Sequence, residues 1–147
     1  MISNKIVSSI TGNIKIPGDK SISHRSIIIP SLSKGITEVD NILMSDDVMH
    51  TLEAFKLLGV KIIKNKKKIV IHGCGLNSLK RPQKNIYLGN SGTSARLLTG
   101  VLASQEFNSI IEGDRSLSAR PMNRIINPLK LMGAEFDNSS GKLPLKI

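Results

Sequence analysis

Three short segments carry residue types that can hold an anion. The first is Pro17-Gly18-Asp19-Lys20-Ser21-Ile22-Ser23-His24-Arg25. Gly18 permits a sharp turn, and Lys20 then stands at the mouth of the helix that follows. Ser21 can donate from the first turn. Arg25 comes four residues later, so it can reach the same side. The second is Leu88-Gly89-Asn90-Ser91-Gly92-Thr93-Ser94-Ala95-Arg96. Its two glycines and small hydroxyls before a helix suit an anion-cradling loop. It is not a P-loop, because the Lys-Ser/Thr pair and its spacing are missing. The third is Gly113-Asp114-Arg115-Ser116-Leu117-Ser118-Ala119-Arg120-Pro121-Met122, with two arginines that can grip phosphate or carboxylate in bidentate fashion. Plainer readings exist for each. Ser21 can be only an N-cap with Lys20 and Arg25 solvated, Thr93 only a cap, and Arg115 or Arg120 a surface ion pair.

All three segments fall where a strand or loop runs into a helix, and free backbone N–H groups there favour anions. If they converge on one rim, they gather Lys20, Arg25, Arg96 and Arg120. Such a cluster fits a small substrate, or a pair of substrates, with several negative charges.

The elements that position these segments follow from periodicity. Residues 14–16 alternate and stop at Pro17-Gly18, which predicts a short strand. Residues 21–33 predict a helix whose Ile22, Ile28, Ile29 and Leu32 share a face, closed by Gly35. A strand is expected over 36–41. Ser45-Asp46-Asp47 reads as a cap with dipole-favoured acids, opening a helix with Val48, Leu52, Phe55 and Leu58 that stops at Gly59. Strands at 60–64 and 68–72 follow. The second half repeats the order: strand 85–88, helix 93–104 with Ser91 or Thr93 as cap, strand 108–112, a helix begun by Pro121 and stopped at Gly133, and strands 134–137 and 143–147. Lys56-Leu57-Leu58-Gly59-Val60 matches Lys130-Leu131-Met132-Gly133-Ala134, 74 positions later. A period of that size indicates a duplicated α/β unit, not a solenoid.

Composition limits the alternatives. The chain has 147 residues, 39% hydrophobic, which excludes a disordered chain. No apolar run approaches a membrane span, and Met1–Ile10 lacks a signal-peptide core. The single cysteine, Cys74, excludes an intramolecular disulfide, fits a reducing compartment, and is expected on a hairpin edge in a structural role. His50 and His72 lack metal-ligand spacing, and His24 is placed to help position the first motif helix. The net charge of +10 divides evenly, +5 in residues 1–73 and +5 in 74–147. The one local cluster, Lys61, Lys64, Lys66, Lys67 and Lys68, falls at an expected hairpin turn. A lysine background therefore explains the charge better than a basic stripe for nucleic acid, and aromatic stacking platforms are few.

The three segments, in this order and spacing, resemble signature segments of the enolpyruvyl transferase family, most closely its branch acting on shikimate 3-phosphate. The resemblance covers residues 12–147. It implies an inside-out α/β barrel fold of repeated β-α-β-α-β-β units, three per domain, with two domains closing on substrate. Units at about 19–73 and 85–147 would be two of three in one domain, and residues 1–18 would cross to the other. The chain then reads as an N-terminal fragment that is inactive alone. The implied reaction transfers the enolpyruvyl group of phosphoenolpyruvate to the 5-hydroxyl of shikimate 3-phosphate and releases phosphate, without metal or organic cofactor, in a cytoplasmic, monomeric parent. By motif, Lys20 lies between the substrates as the catalytic cation. Ser21 and Arg25 hold shikimate 3-phosphate. Asn90, Gly92, Thr93 and Arg120 bind phosphoenolpyruvate, with Arg96 a weaker candidate. The wording D-K-S-I-S-H-R is nearer the glyphosate-tolerant type of bacterial sequence. Gly92 lacks the methyl that in the family crowds glyphosate more than phosphoenolpyruvate, so sensitivity is expected at that site.

Two alternatives remain. The UDP-sugar enolpyruvyl transferase branch carries Asn where this chain has Ser21, and usually a reactive Cys where it has Arg115. A basic nucleic-acid-binding module rests on the charge and the lysine cluster alone.

Overall fold

The computed structural model describes residues 9, 11–65, 68–137 and 140–147. The first half contains helix α1 (Lys20–Leu32), strand β1 (Lys34–Asp40), helix α2 (Asp46–Leu57) and strands β2 (Lys61–Lys64) and β3 (Lys68–Cys74). The second contains β4 (Ile86–Tyr87), α3 (Gly92–Leu102), β5 (Ile110–Glu112), the single-turn α4 (Arg115–Ser118), α5 (Asn123–Leu131) and β6 (Leu145–Lys146). The architecture is α/β.

Each half has its own three-stranded sheet. The first runs β1-β3-β2, antiparallel throughout, with Thr37 and Ile62 both opposite Ile71. The second runs β4-β5-β6, with β4 parallel and β6 antiparallel to β5. Helix α2 packs against α1 and also against α3 and β4, so it joins the halves. Its stripe of Val48, Leu52 and Phe55 is buried in one continuous core with Ile27, Ile69, Ile71, Ile86, Leu98 and Ile111.

Helices α2 and α5 end alike. Gly59 and Gly133 sit at φ +88° and +96°, a region open to glycine at little cost. Val60 N–H donates to the Phe55 carbonyl and Ala134 N–H to the Leu129 carbonyl, each at 3.0 Å. These paired positions lie 74 residues apart, as the matched segments do.

Several expectations are corrected. Residues 14–16 form no strand: Ile14 and Ile16 are 86% and 68% exposed and have no ladder partner among the described residues. The buried face of α1 is Ser23, His24, Ile27, Ile28 and Ser31, whereas Ile22 and Ile29 face solvent. The i, i+4 row Ser23-Ile27-Ser31 lies against the core, and Ile22 and Ile29, seven positions apart, follow the other side. Gly35 does not close α1; Ser33 caps it and Gly35 already belongs to β1. Pro121 lies outside α5, in the turn after α4, and Met122 is the cap. The strand expected at 134–137 is reduced to one bridge, Asp137 to Lys146, because β6 is only two residues long. Cys74 ends β3, the middle strand of its sheet, not a hairpin edge. Lys66 and Lys67, and most of residues 1–10, lie outside the described residues.

Candidate functional site

The parallel pair β4–β5 determines where two motifs meet. Parallel neighbours end at the same edge of a sheet, so the loops that leave them start side by side. Tyr87 is level with Glu112, and the Asp114 N–H donates to the Gly89 carbonyl at 2.8 Å. The second and third motifs are thereby tied together by backbone. Side chains finish each turn. Ser91 caps α3, its Oγ accepting from Ser94 N–H at 3.2 Å. Asp114 caps α4, accepting from Leu117 N–H at 2.7 Å.

The first motif arrives on α1. Its cap is Asp19, which accepts from Ile22 N–H at 2.7 Å, so Ser21 is not the N-cap. Ser23 Oγ accepts from the Leu43 N–H at 2.9 Å and anchors the start of α1 to the loop ahead of α2. Lys20 then faces the second motif.

Between them lies an open cleft of about 420 Å³, lined by Lys20, Asp47, Asn90, Gly92, Thr93, Arg96 and Arg120. Six of these seven are residues that the sequence singled out. Arg120 Nη2 donates to Asn90 Oδ1, joining the third motif to the second. Gly92 lies under the guanidinium: a Cβ there would sit 2.9 Å from Arg120 Nη1. The Thr93 N–H, in the first turn of α3, has no acceptor among the described residues. A free amide, three cations and one carboxylate make a pocket that favours anions.

Ser21 and Arg25 do not line this cleft. Both are exposed, and Arg25 Nη1 donates to the Ser21 carbonyl at 3.1 Å, four residues back on its own helix. Arg115 is exposed on α4 and also stands outside it.

Asp47 is the cleft residue that sequence reasoning missed. It pairs with Lys20 Nζ and is only 23% exposed. Its position in the first turn of α2 also suits the helix dipole, and that simpler role hid the other. Lys64, in the lysine cluster, donates to Met49 Sδ at 3.2 Å. Lys68 donates to Glu38 at 3.1 Å, and that bond, with Asp40 nearby, raises its pKa. Among the described residues no three His, Cys, Asp or Glu side chains gather as metal ligands, and no helix is long and apolar enough to cross a membrane.

His24 is fully buried, behind the cleft. Burial lowers its pKa below the ordinary 6.5; Asp47 opposes the shift, while Lys20 and Arg25 add to it. Between 6.5 and the lowered value, the unfolded chain takes a proton that the folded one refuses. Stability is therefore full above about pH 6.5 and falls as pH drops through that window. Thermal melts between pH 7.5 and 5 should register this loss, and His24→Asn should reduce it.

The sequence profile of EPSP synthase (3-phosphoshikimate 1-carboxyvinyltransferase) matches residues 4–147. The chain belongs to the EPSP synthase family. A 3-phosphoshikimate 1-carboxyvinyltransferase of Ruthia magnifica is 53% identical over 143 residues, covering 97% of this chain and 33% of that protein. One from Oceanobacillus iheyensis is 52% identical over 144 residues, covering 97% and 34%. The solved EPSP synthase from Acinetobacter baumannii superposes with a TM-score of 0.88 at 47% identity, covering 92% of this chain and 32% of that one. The chain thus spans about a third of the length of the EPSP synthases it matches.

Proposed function

We propose that this chain supplies one part of the active site of a 3-phosphoshikimate 1-carboxyvinyltransferase. The observation that carries the reading is the convergence of Lys20, Asn90, Gly92, Thr93 and Arg120 on one cleft. In the reaction, the 5-hydroxyl of shikimate 3-phosphate adds to C2 of phosphoenolpyruvate, a tetrahedral intermediate forms, and phosphate leaves. Arg120, held by Asn90, grips phosphoenolpyruvate with the Thr93 amide. Lys20 exchanges Asp47 for substrate, offsets the repulsion between two polyanions, and is placed to assist proton transfer. Arg25 leaves the Ser21 carbonyl to take the shikimate carboxylate, and the Ser21 hydroxyl adds a bond. Arg96 balances charge at the rim. Residues 19–73 and 85–147 act as two units of one domain, with residues 1–18 reaching the other. Further units complete the site, so the chain alone gives no turnover. The reading carries a cytoplasmic, monomeric synthase with no metal or organic cofactor.

A chimera tests this. The present chain replaces the matching third of the Oceanobacillus iheyensis relative, and phosphate release from the two substrates is followed. Turnover is expected from the chimera and none from the 147-residue chain. A folded but inactive chimera would refute the reading, as would turnover by the chain alone.

Gly92 allows a sharper check in the same chimera. An alanine methyl would press on Arg120 Nη1 and narrow the pocket. Gly92→Ala should weaken inhibition by glyphosate more than it raises the KM for phosphoenolpyruvate. Equal effects on both would place this loop elsewhere.

A further inference from the structure

A row of buried polar side chains runs beneath the cleft and crosses three helices. His24 on α1 lies with Nδ1 2.8 Å from Thr51 Oγ1 on α2. Thr51 Oγ1 is 2.7 Å from Ser94 Oγ on α3, and Ser94 Oγ is 2.6 Å from Ser91 Oγ at the α3 cap. His24, Thr51, Ser94 and Ser91 are each at most 2% exposed. Four polar groups so deep are costly unless each is bonded, and a satisfied network of this kind holds its elements in one register.

Counting protons gives the row a direction. If His24 Nδ1–H donates to Thr51, then Thr51 can donate to Ser94, Ser91 can donate to the second lone pair of Ser94, and Ser94 can donate to the Asp47 carbonyl, 3.4 Å away. Each proton then has an acceptor, and only the Nε2 lone pair is left bare. The opposite order puts the proton on Nε2, which is buried with no partner among the described residues. An orphaned buried N–H is the rarer and costlier fault. The neutral Nδ1–H tautomer is therefore assigned from the network.

The two ends of the row matter to the cleft. Lys20 is one helical turn before His24 on α1, and Ser91 immediately precedes Gly92 and Thr93. We infer that His24, acting through Thr51 and Ser94, is a positioning residue that sets the distance between Lys20 and the Asn90–Arg120 anion cradle. The inference rests on the reading of the cleft given above. Small misplacements of a charged group are expensive in such sites. The charged groups facing His24 are Lys20 and Arg25 from α1 and Asp47 from α2; α3 presents the hydroxyl of Ser94. Protonated His24 would keep its Nδ1–H bond to Thr51 but would bury an unpaired N–H at Nε2 and stand beside two cations, so acid strains the row at its His24 end.

The 147-residue chain itself provides the test. Imidazole nitrogen NMR reads the tautomer and titration of His24. Backbone amide shifts of Gly92 and Thr93 read the cradle, and a titration with phosphoenolpyruvate reads its affinity. The Nδ1–H tautomer is expected, titrating below 6.5. His24→Asn retains a donor near Nδ1, so it should keep the affinity within about threefold and remove the His24 step from its pH dependence. His24→Leu and the near-isosteric Thr51→Val lack the link. They should weaken phosphoenolpyruvate roughly tenfold and move the Gly92 and Thr93 amides while still melting cooperatively. Comparison with His24→Asn separates the titration of the ligand from that of His24. An Nε2–H tautomer, or unmoved amides and unchanged affinity in Thr51→Val, would overturn the inference. If the wild-type chain binds no phosphoenolpyruvate, the reading of the cleft falls. The tautomer and the amide shifts of Thr51→Val then still decide the coupling, with unmoved amides counting against it.

Discussion

Replacing Arg120 with alanine should reduce phosphoenolpyruvate binding by about 100-fold or more. The guanidinium lies over Gly92 and is steered by Asn90 Oδ1, so its fork already points into the cleft. Two charge-assisted hydrogen bonds at about 1.5 kcal/mol each amount to about 3 kcal/mol, and 1.4 kcal/mol is tenfold. Lysine should recover only part of the loss, because a point charge cannot make the bidentate contact. The fold should survive, since Arg120 is exposed and caps no helix. Calorimetric titration of the wild type, Arg120→Ala and Arg120→Lys checks the order. Equal affinities for the wild type and Arg120→Ala would remove Arg120 from the site.

Lys20→Met should lower turnover of the chimeric synthase by roughly 10²–10³, the range seen when one preorganised donor to developing charge is removed. Methionine keeps the length of the side chain and discards its charge. Lys20 is 51% exposed, but its Asp47 partner is only 23% exposed and would lose its counter-charge, so some fall in melting temperature is expected. The loss of kcat should be far larger than that fall explains, with the protein still folded at the assay temperature. A Lys20→Met enzyme within threefold of the wild type would exclude Lys20 as the catalytic cation.

Much of the cleft was legible in the sequence because glycine, serine and arginine were concentrated at junctions where packing alone does not ask for them. Their meeting was less legible. It depends on β4 lying parallel to β5, a pairing between Ile86 and Ile111 that no local pattern specifies. Asp47 was hidden by its ordinary place in a helix first turn. Thr51 and Ser94 were overlooked because small hydroxyls fit an apolar helix face without disturbing its periodicity, although both interrupt a buried stripe. Ile22 and Ile29 misled in the opposite way. Helical spacing predicted a core face, but the packed side of α1 is the row holding Ser23, His24 and Ile27. Arg25 shows a third limit: spacing put it beside Ser21 correctly, yet its guanidinium rests on the helix backbone rather than in the cleft. The charge of +10 also changes meaning, since Lys64 and Lys68 have partners of their own while Arg96 and Arg120 face the cleft.

The most direct measurement is an amide-shift titration of the chain with phosphoenolpyruvate. Saturable shifts are predicted at Lys20, Gly92, Thr93 and Arg120, and their loss in Arg120→Ala. Shifts confined to β2 and β3 around Lys61–Lys64 and Lys68, with Gly92 and Thr93 unmoved, would contradict the assignment of this cleft as the substrate site.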